Sequence, residues 1–349
     1  MSHSPQDLRA AKADATLRDR DLAASLGVSE AALVAAHVGQ TGAFRATRIK
    51  HHPDDVMPAV SDLGEVMSLT RNNSVVHERV GTFGEYRSGP HAAMVLGSEI
   101  DTRIFPKHWA YGFAVEADGD HGTRRSLQFF DTTGEALQKI YLRDTSNAEA
   151  WVPLVDRLRL DDPSDAITPD PAIPTEVARA PADKRDQLVT EWQKMTDTHQ
   201  FNRICARLGM NRLGAYRLAG APFVRRVDPA CVEGWMEAIR DTGQKVVLFV
   251  GNRGHIQIHW GTFETVKPMG PWLNVLDPRF NLHLRGDHIA EAYVVDKPTK
   301  RGPAISLECF DAEGGLIFQC YGQREGEDDT LDRWHGILDA LPRVQEAAE

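Results

Sequence analysis

The feature that most constrains this chain is that it repeats itself. Set against itself at an offset of 180, it matches without gaps from Val66/Val246 to Tyr141/Tyr321, 76 positions with 17 identities. About 5 identities would arise if unrelated residues agree roughly 6% of the time, so the match reports a duplication. The agreements fall where backbone geometry is demanding: Gly81-Thr82-Phe83 matches Gly261-Thr262-Phe263, and Phe130-Asp131 with Gly134 matches Phe310-Asp311 with Gly314. Glycine recurring at a turn is a backbone requirement. At 349 residues the chain also exceeds what one hydrophobic core usually serves, which again gives two units.

Within each copy, LQFFDTTGEALQKIY and LECFDAEGGLIFQCY read as two apolar strands around a short turn, a hairpin pattern. KVVLFVGNRGHIQIHWGTF reads as another strand pair turning at Asn252-Arg253-Gly254. A helical segment precedes each sheet, LAASLGVSEAALVAAHVG in the first copy and FNRICARLGMNRLGAYRLAG in the second. The expected fold is therefore α+β, two tandem copies of a helices-then-antiparallel-sheet unit. We place the first repeat at residues 1–160 and the second at 186–349, joined by a proline-rich, charged linker over 161–185 with little apolar periodicity.

A net charge of -10 and a pI near 5.8 argue against a nucleic-acid partner, which needs concentrated basic surface. The opening MSHSPQDLRAAKADATLRDRD has no apolar core of signal-peptide length, and no stretch suits a membrane span. The expectation is a cytoplasmic protein without membrane insertion. Cys205, Cys231, Cys309 and Cys320 show no zinc-like spacing and read as reduced, packed thiols. Walker, Rossmann, GxSxG and HExxH patterns are lacking, so no nucleotide, flavin or zinc site is expected.

Function has to lie where the copies differ. Met195-Thr196-Asp197-Thr198-His199-Gln200-Phe201 opens the second copy, with Asp197 or Thr198 suited to cap the following helix. A histidine in that first turn stays neutral and can ligate a metal through one nitrogen, or it serves as a surface or capping residue. Arg103, in Ile100-Asp101-Thr102-Arg103-Ile104, projects from the strand face opposite Ile104, as a solvated charge or as a fixed donor to a ligand. Arg212, Lys297, Tyr321 and Arg324 of the second copy could line the end of a pocket that receives carboxylates. His255 and His259 share one strand face, either a polar solvent face or a two-histidine site. His77 aligns with Gln257 and reads as a hydrogen-bonded histidine or a secondary ligand. These features alone describe a duplicated α+β protein with an anion-binding cleft.

At the stretches LTRNNSVVHERVGTF, IDTRIFPKHW, LQFFDTTGEALQKIY, EWQKMTDTHQF, LFVGNRGHIQIHWGTF, KPMGPWLNVLDPRFNLHL, AEAYVVDKPT and YGQREGE, the chain resembles the proteobacterial hemin-degrading factors of the HemS/ChuS/PhuS type. The resemblance runs over nearly the whole chain. It implies stacked halves with a haem cleft between them, His199 as axial ligand to haem iron, and Arg103 on the distal side. It also implies that Arg212, Lys297, Tyr321, Gln323 and Arg324 face the propionates, Phe249 forms a pocket wall, and His77 takes part in a second haem-binding mode. Asn202 and Arg203 depart from the pattern, standing where similar proteins carry an aromatic and a small residue. His255 and His259 depart as well. The activity implied is oxidative haem degradation that releases iron, needing O2 and an external electron donor. The alternative is a trafficking or storage protein that takes haem from an importer and hands it intact to a separate haem oxygenase.

Overall fold

The computed structural model describes residues 3–324 and 330–344; the last three residues of YGQREGE, and the extreme ends of both repeats, lie outside the described residues. The chain divides into two compact units. Unit 1 holds the chain up to Arg71, His77–Ile173 and Gly251–Gln257; unit 2 holds Asn72–Val76, Pro174–Val250 and the chain from Ile258 on.

Unit 1 begins with helices α1 (Pro5–Ala13), α2 (Asp19–Leu26) and α3 (Glu30–Ala35), then strand β1 (Phe44–Arg48) and helix α4 (Pro53–Val60). Strands β2 (Val66–Arg71), β3 (Val75–Gly81), β4 (Glu85–Arg87), β5 (Ala93–Leu96), β6 (Asp101–Ile104), β7 (Tyr111–Gly119), β8 (Gly122–Phe130) and β9 (Ala136–Leu142) follow, closed by α5 (Trp151–Leu158). The order β1-β7-β8-β9-β2 is antiparallel throughout, and β4-β5-β6 form an antiparallel meander.

Unit 2 repeats the plan with α6 (Arg185–Gln193), α7 (Gln200–Leu208), α8 (Arg212–Ala219), β10 (Val224–Val227) and α9 (Cys231–Thr242). Its strands are β11 (Val246–Gly251), β12 (His255–Gly261, of which His255–Gln257 belong to unit 1), β13 (Val266–Met269), β14 (Trp272–Asp277), β15 (Phe280–Arg285), β16 (Glu291–Lys297), β17 (Ala304–Phe310) and β18 (Leu316–Gly322), followed by α10 (Thr330–Asp339). The antiparallel order β10-β16-β17-β18-β11 matches that of unit 1, with β13-β14-β15 as the meander. The chain is thus a tandem duplication of one α+β unit.

Each helical segment is two short helices rather than one. Gly27 and Gly209 end α2 and α7 at φ near +70°, a left-handed turn that glycine adopts without a Cβ clash. The identity Asn72/Asn252 also has a physical reason. Asn252 Nδ2 donates to the Leu137 carbonyl in unit 1, and Asn72 Nδ2 donates to the Ile317 carbonyl in unit 2, both at 2.8 Å. Leu137 and Ile317 are again 180 apart, so one turn device is used twice.

Unit 2 encloses two apolar clusters. One packs Trp235 flat on Phe318 with Trp334 beside them under the sheet. The other gathers Trp192, Phe201, Tyr216 and Phe223 between α6, α7, α8 and the opposite sheet face. The segment before α6 runs across the start of α8: Asn211, the N-cap of α8, accepts from both Gly214 N and Arg179 N and donates to the Val177 carbonyl. A side chain at Gly214 would fall on the Arg179 backbone. Gly214→Ala should therefore cost roughly 1–3 kcal/mol as overpacking, read as a lower unfolding midpoint; an unchanged midpoint would show that this segment is not held there.

Candidate functional site

Downstream of α6 the chain makes a tight loop. Gln200 Oε1 accepts from Thr196 N at 2.8 Å, and Asp197 Oδ1 accepts from His199 N at 2.8 Å and from the His199 ring at Nδ1 at 2.7 Å. His199 is itself the N-cap of α7. The expectation that Asp197 or Thr198 caps the helix is corrected by this Asx-type turn, which uses the Asp197 carboxylate two residues on. The His199 backbone N–H and ring hold that carboxyl below the ordinary carboxylate range. Nδ1 is thus committed to the Asp197 carboxylate and Nε2 is the ring nitrogen left for a ligand, on a side chain that is 90% exposed. An imidazole oriented by a carboxylate through one nitrogen and open at the other is the arrangement of a metal ligand with its supporting partner.

One helical turn on, Asn202 Oδ1 accepts from Arg212 Nη2 at 3.3 Å. Asn202 thereby ties the helix of His199 to Arg212. Arg212 and Tyr216, four residues apart on α8, share one helix face and meet Glu308 of β17. Glu308 Oε2 accepts from Arg212 Nη1 and Tyr216 OH, both at 2.8 Å; Oε1 accepts from Lys297 Nζ at 2.5 Å, Ser306 Oγ at 2.9 Å and Gln319 Nε2 at 2.5 Å. The register pairs Glu308 with Gln319 and Ser306 with Tyr321, so all four project from one sheet face. Gln319 also donates to Tyr321 OH at 2.6 Å, and Phe249 meets the Tyr321 ring edge-on.

Burial alone would raise the Glu308 carboxyl, but Lys297 and Arg212 pull it well below the usual range. Burial draws the Lys297 ammonium down to about 8 even beside that carboxylate, and raises the Tyr216 and Tyr321 phenols, which face the same negative charge. Lys297 is 1% exposed, whereas the Arg212 side chain keeps 24% of its surface open. Gln323 and Arg324 follow β18: Gln323 N donates to the Lys245 carbonyl, and Arg324 is fastened to the carbonyls of Arg301 and Pro303. Sequence reasoning did not single out Glu308, Tyr216, Ser306 or Gln319. The signal available was an acid inside the apolar strand LECF, where the first copy has Gln128 in LQFF.

Unit 1 builds a charge cluster at the corresponding place, again one carboxylate with two cations, but with the acid on the helix instead of the strand. Glu30, at the position of Arg212, is bound by Lys139 and by Arg71 at 2.7 Å, and all three are buried. Nothing of that cluster is presented. Arg103 lies on β6, its guanidinium held by Asp101 and by the Thr102 carbonyl at 3.0 Å. His77 on β3 is fully buried, its carbonyl accepting from Gln257, so as it stands it offers no surface to a ligand.

His255 and His259 form no solvent face. His255 is buried in unit 1 with Nδ1 on Thr70 Oγ1 at 2.7 Å; His259 is buried in unit 2, stacked on Phe280 at 3.7 Å. The alternation was right in period, but the face that carries the histidines is the buried one, while Trp260 on the opposite face is 42% exposed. Among the described residues no three His, Cys, Asp or Glu side chains group to hold a metal ion, and no helix is long and apolar enough to cross a membrane. Burial lowers His255 to about 3. A histidine depressed from its unfolded value stabilises the fold above about pH 6.5 and loses that contribution as pH falls toward 3. His255→Gln should flatten the fall of unfolding free energy over that window; an unchanged slope would refute the assignment.

The family model for the haemin-degrading HemS/ChuX domain matches residues 27–158 and again 209–341. The chain is 35% identical to the hemin transport protein HmuS of Yersinia pestis over 317 residues, 90% of each chain, and 35% identical to the hemin transport protein HemS of Yersinia enterocolitica over 330 residues, 94% of each. Its fold is similar to the holo form of PhuS, a heme-binding protein from Pseudomonas aeruginosa, with TM-score 0.91 and 36% identity over 98% of this chain and 100% of that one. It is likewise similar to ChuS, described as an E. coli heme oxygenase, with TM-score 0.85 and 33% identity over 96% of this chain and 99% of that one. Duplicated family match, full-length relatives and architecture agree: the chain belongs to the HemS/ChuS/PhuS family.

Proposed function

We propose that this chain is a cytoplasmic haem-binding protein of iron acquisition that opens the porphyrin ring of its substrate and releases iron. One observation carries the reading: His199 presents a solvent-facing Nε2, aimed by Asp197, one helical turn from the Asn202–Arg212 contact. A carboxylate-oriented imidazole suits the axial position of haem iron, and an arginine held rigid from behind suits a propionate. Tyr321 and Arg324 extend the polar end, and Phe249 supplies an aromatic wall. Haem, as substrate, would bring the iron at which O2, activated by electrons from an external donor, oxidises the ring. Asp197 keeps the His199 ring in the ligating tautomer, and Arg103, aimed by Asp101, keeps N–H groups for polarising oxygen on the distal side.

Arg103→Ala should retain haem with an unaltered Soret band yet slow ring opening by about 10-fold or more, the cost of one preorganised donor. Unchanged turnover would remove Arg103 from the chemistry. A second reading, transfer of intact haem from an importer to a separate haem oxygenase, draws support from the names of the Yersinia relatives. It predicts a haem complex that survives reductant and O2.

A further inference from the structure

One sheet position carries a carboxylate in both units, and the two are answered differently. In unit 1 it is Glu116 of β7, flanked in the ladder by Arg45 of β1 and Arg125 of β8; both guanidinium groups donate to it at 3.1 Å. In unit 2 it is Asp296 of β16, 180 positions on. The position of Arg125 there holds Ile305, directly opposite Asp296 in the ladder. On the other side Phe223 accepts from Asp296 N at 2.8 Å through its carbonyl and stacks its ring on Trp192. Neither neighbour brings a charge.

Asp296 Oδ1 is buried without a hydrogen-bond partner, and so is Nε2 of His335 on α10, where unit 1 has Val155. A buried polar atom with no partner marks a place that a ligand or water has to satisfy. Both side chains line one cavity of about 670 Å3, with Val294, Ile305 and Leu338 among its apolar walls. Burial pushes the Asp296 carboxyl above its ordinary value, and His335 and Lys297 offset this in part; the Lys297 ammonium is committed to Glu308. Arg225 and Arg343 also line the cavity, but Arg225 is taken by the Leu338 and Leu341 carbonyls, and Arg343 acts on Arg225.

We propose that this cavity of unit 2 binds an organic cation, a guanidinium or amidinium group on an apolar stem, which donates to Asp296 Oδ1 and His335 Nε2 while the stem lies against Val294, Ile305 and Leu338. The inference goes beyond the haem reading and does not depend on it. An ionised carboxylate only accepts, and an imidazole with its proton on Nδ1 accepts at Nε2. Two acceptors on one cavity call for a ligand rich in donors, and the carboxylate calls for a positive one. Unit 1 shows that the same framework seats guanidinium groups at this position, supplied there by the chain itself. A metal ion is the poorer fit, because among the described residues no third His, Cys, Asp or Glu joins the pair.

The test is a ligand-observed NMR titration of the full chain with benzamidine, with its neutral analogue benzamide, and with N-acetylarginine amide. Benzamidine should bind saturably, with a dissociation constant of about 1 mM or below and about 10-fold or more tighter than benzamide, the difference of one charge-assisted contact. Asp296→Asn should lose most of that preference. Ile305→Arg places a guanidinium where unit 1 has one and should abolish binding, since the chain then fills its own site. Should Ile305→Arg fail to fold, the nearly isosteric Asp296→Asn carries the test. Tighter binding of benzamidine than of the arginine amide assigns the site to a free small molecule, and the reverse assigns it to an arginine side chain of a partner. Failure of both cations to saturate the wild type, equal binding of benzamide, undiminished binding in Asp296→Asn, or saturation by Zn2+ alone would overturn the proposal.

Discussion

His199→Ala should weaken haem binding by about 100-fold or more and move the Soret band of whatever complex remains. Among the described residues of unit 2 His199 is the exposed imidazole whose Nδ1 is committed to a carboxylate, and on the haem reading its removal would take away the iron–nitrogen bond while leaving the polar end of the pocket intact. Asp197→Asn should cost less, about 10-fold, because the ring remains but its tautomer and orientation are no longer fixed. The pair of variants therefore orders ligand above supporting partner. An unshifted band in His199→Ala would move the axial assignment elsewhere, and equal losses in both variants would mean that the loop, not the ring, is what matters.

Glu30→Ala should destabilise unit 1 by about 3–5 kcal/mol, because it takes the nearest carboxylate from two buried cations, Lys139 and Arg71, and leaves Arg71 the more distant Glu135 at 3.9 Å. Glu30 lies at 4% exposure between Lys139 and Arg71. Burial alone would raise its carboxyl, but those two cations hold it at about 2. The sign follows: a carboxyl depressed from 4.5 to about 2 stabilises the fold above pH 4.5, and that contribution is lost as pH falls through the interval. Denaturant unfolding should show wild-type stability falling across that window and a flatter profile in Glu30→Gln. A variant as stable as the wild type, with the same acid profile, would contradict the ion-pair account.

Much of the architecture was legible because duplication and period are properties of the sequence. The two units, their hairpins and the glycine turns follow from identities 180 apart and from alternation. The reciprocal placement of Asn72–Val76 and Gly251–Gln257 was not legible, since nothing local in NNSVV or GNRGHIQ says which half's carbonyls those asparagines reach. The same limit applies at the site. Arg212, Lys297 and Tyr321 could be picked out as donors from their types and from differences between the copies, and folding brings them around one carboxylate. That carboxylate, Glu308, is visible in sequence only as an acid in an apolar strand, and its five donors come from three strands and a helix. Exposure was equally hidden: Lys297 and His255 look like surface polar residues in sequence and are buried, whereas His199 is open.

The most direct measurement of the central claim is an anaerobic titration with haem, followed by a physiological reductant and O2 with catalase present to remove free peroxide. The account predicts a saturable Soret band that then decays with release of one iron per haem. The absence of a saturable band would contradict haem binding, and a band that persists through reductant and O2 would contradict ring opening.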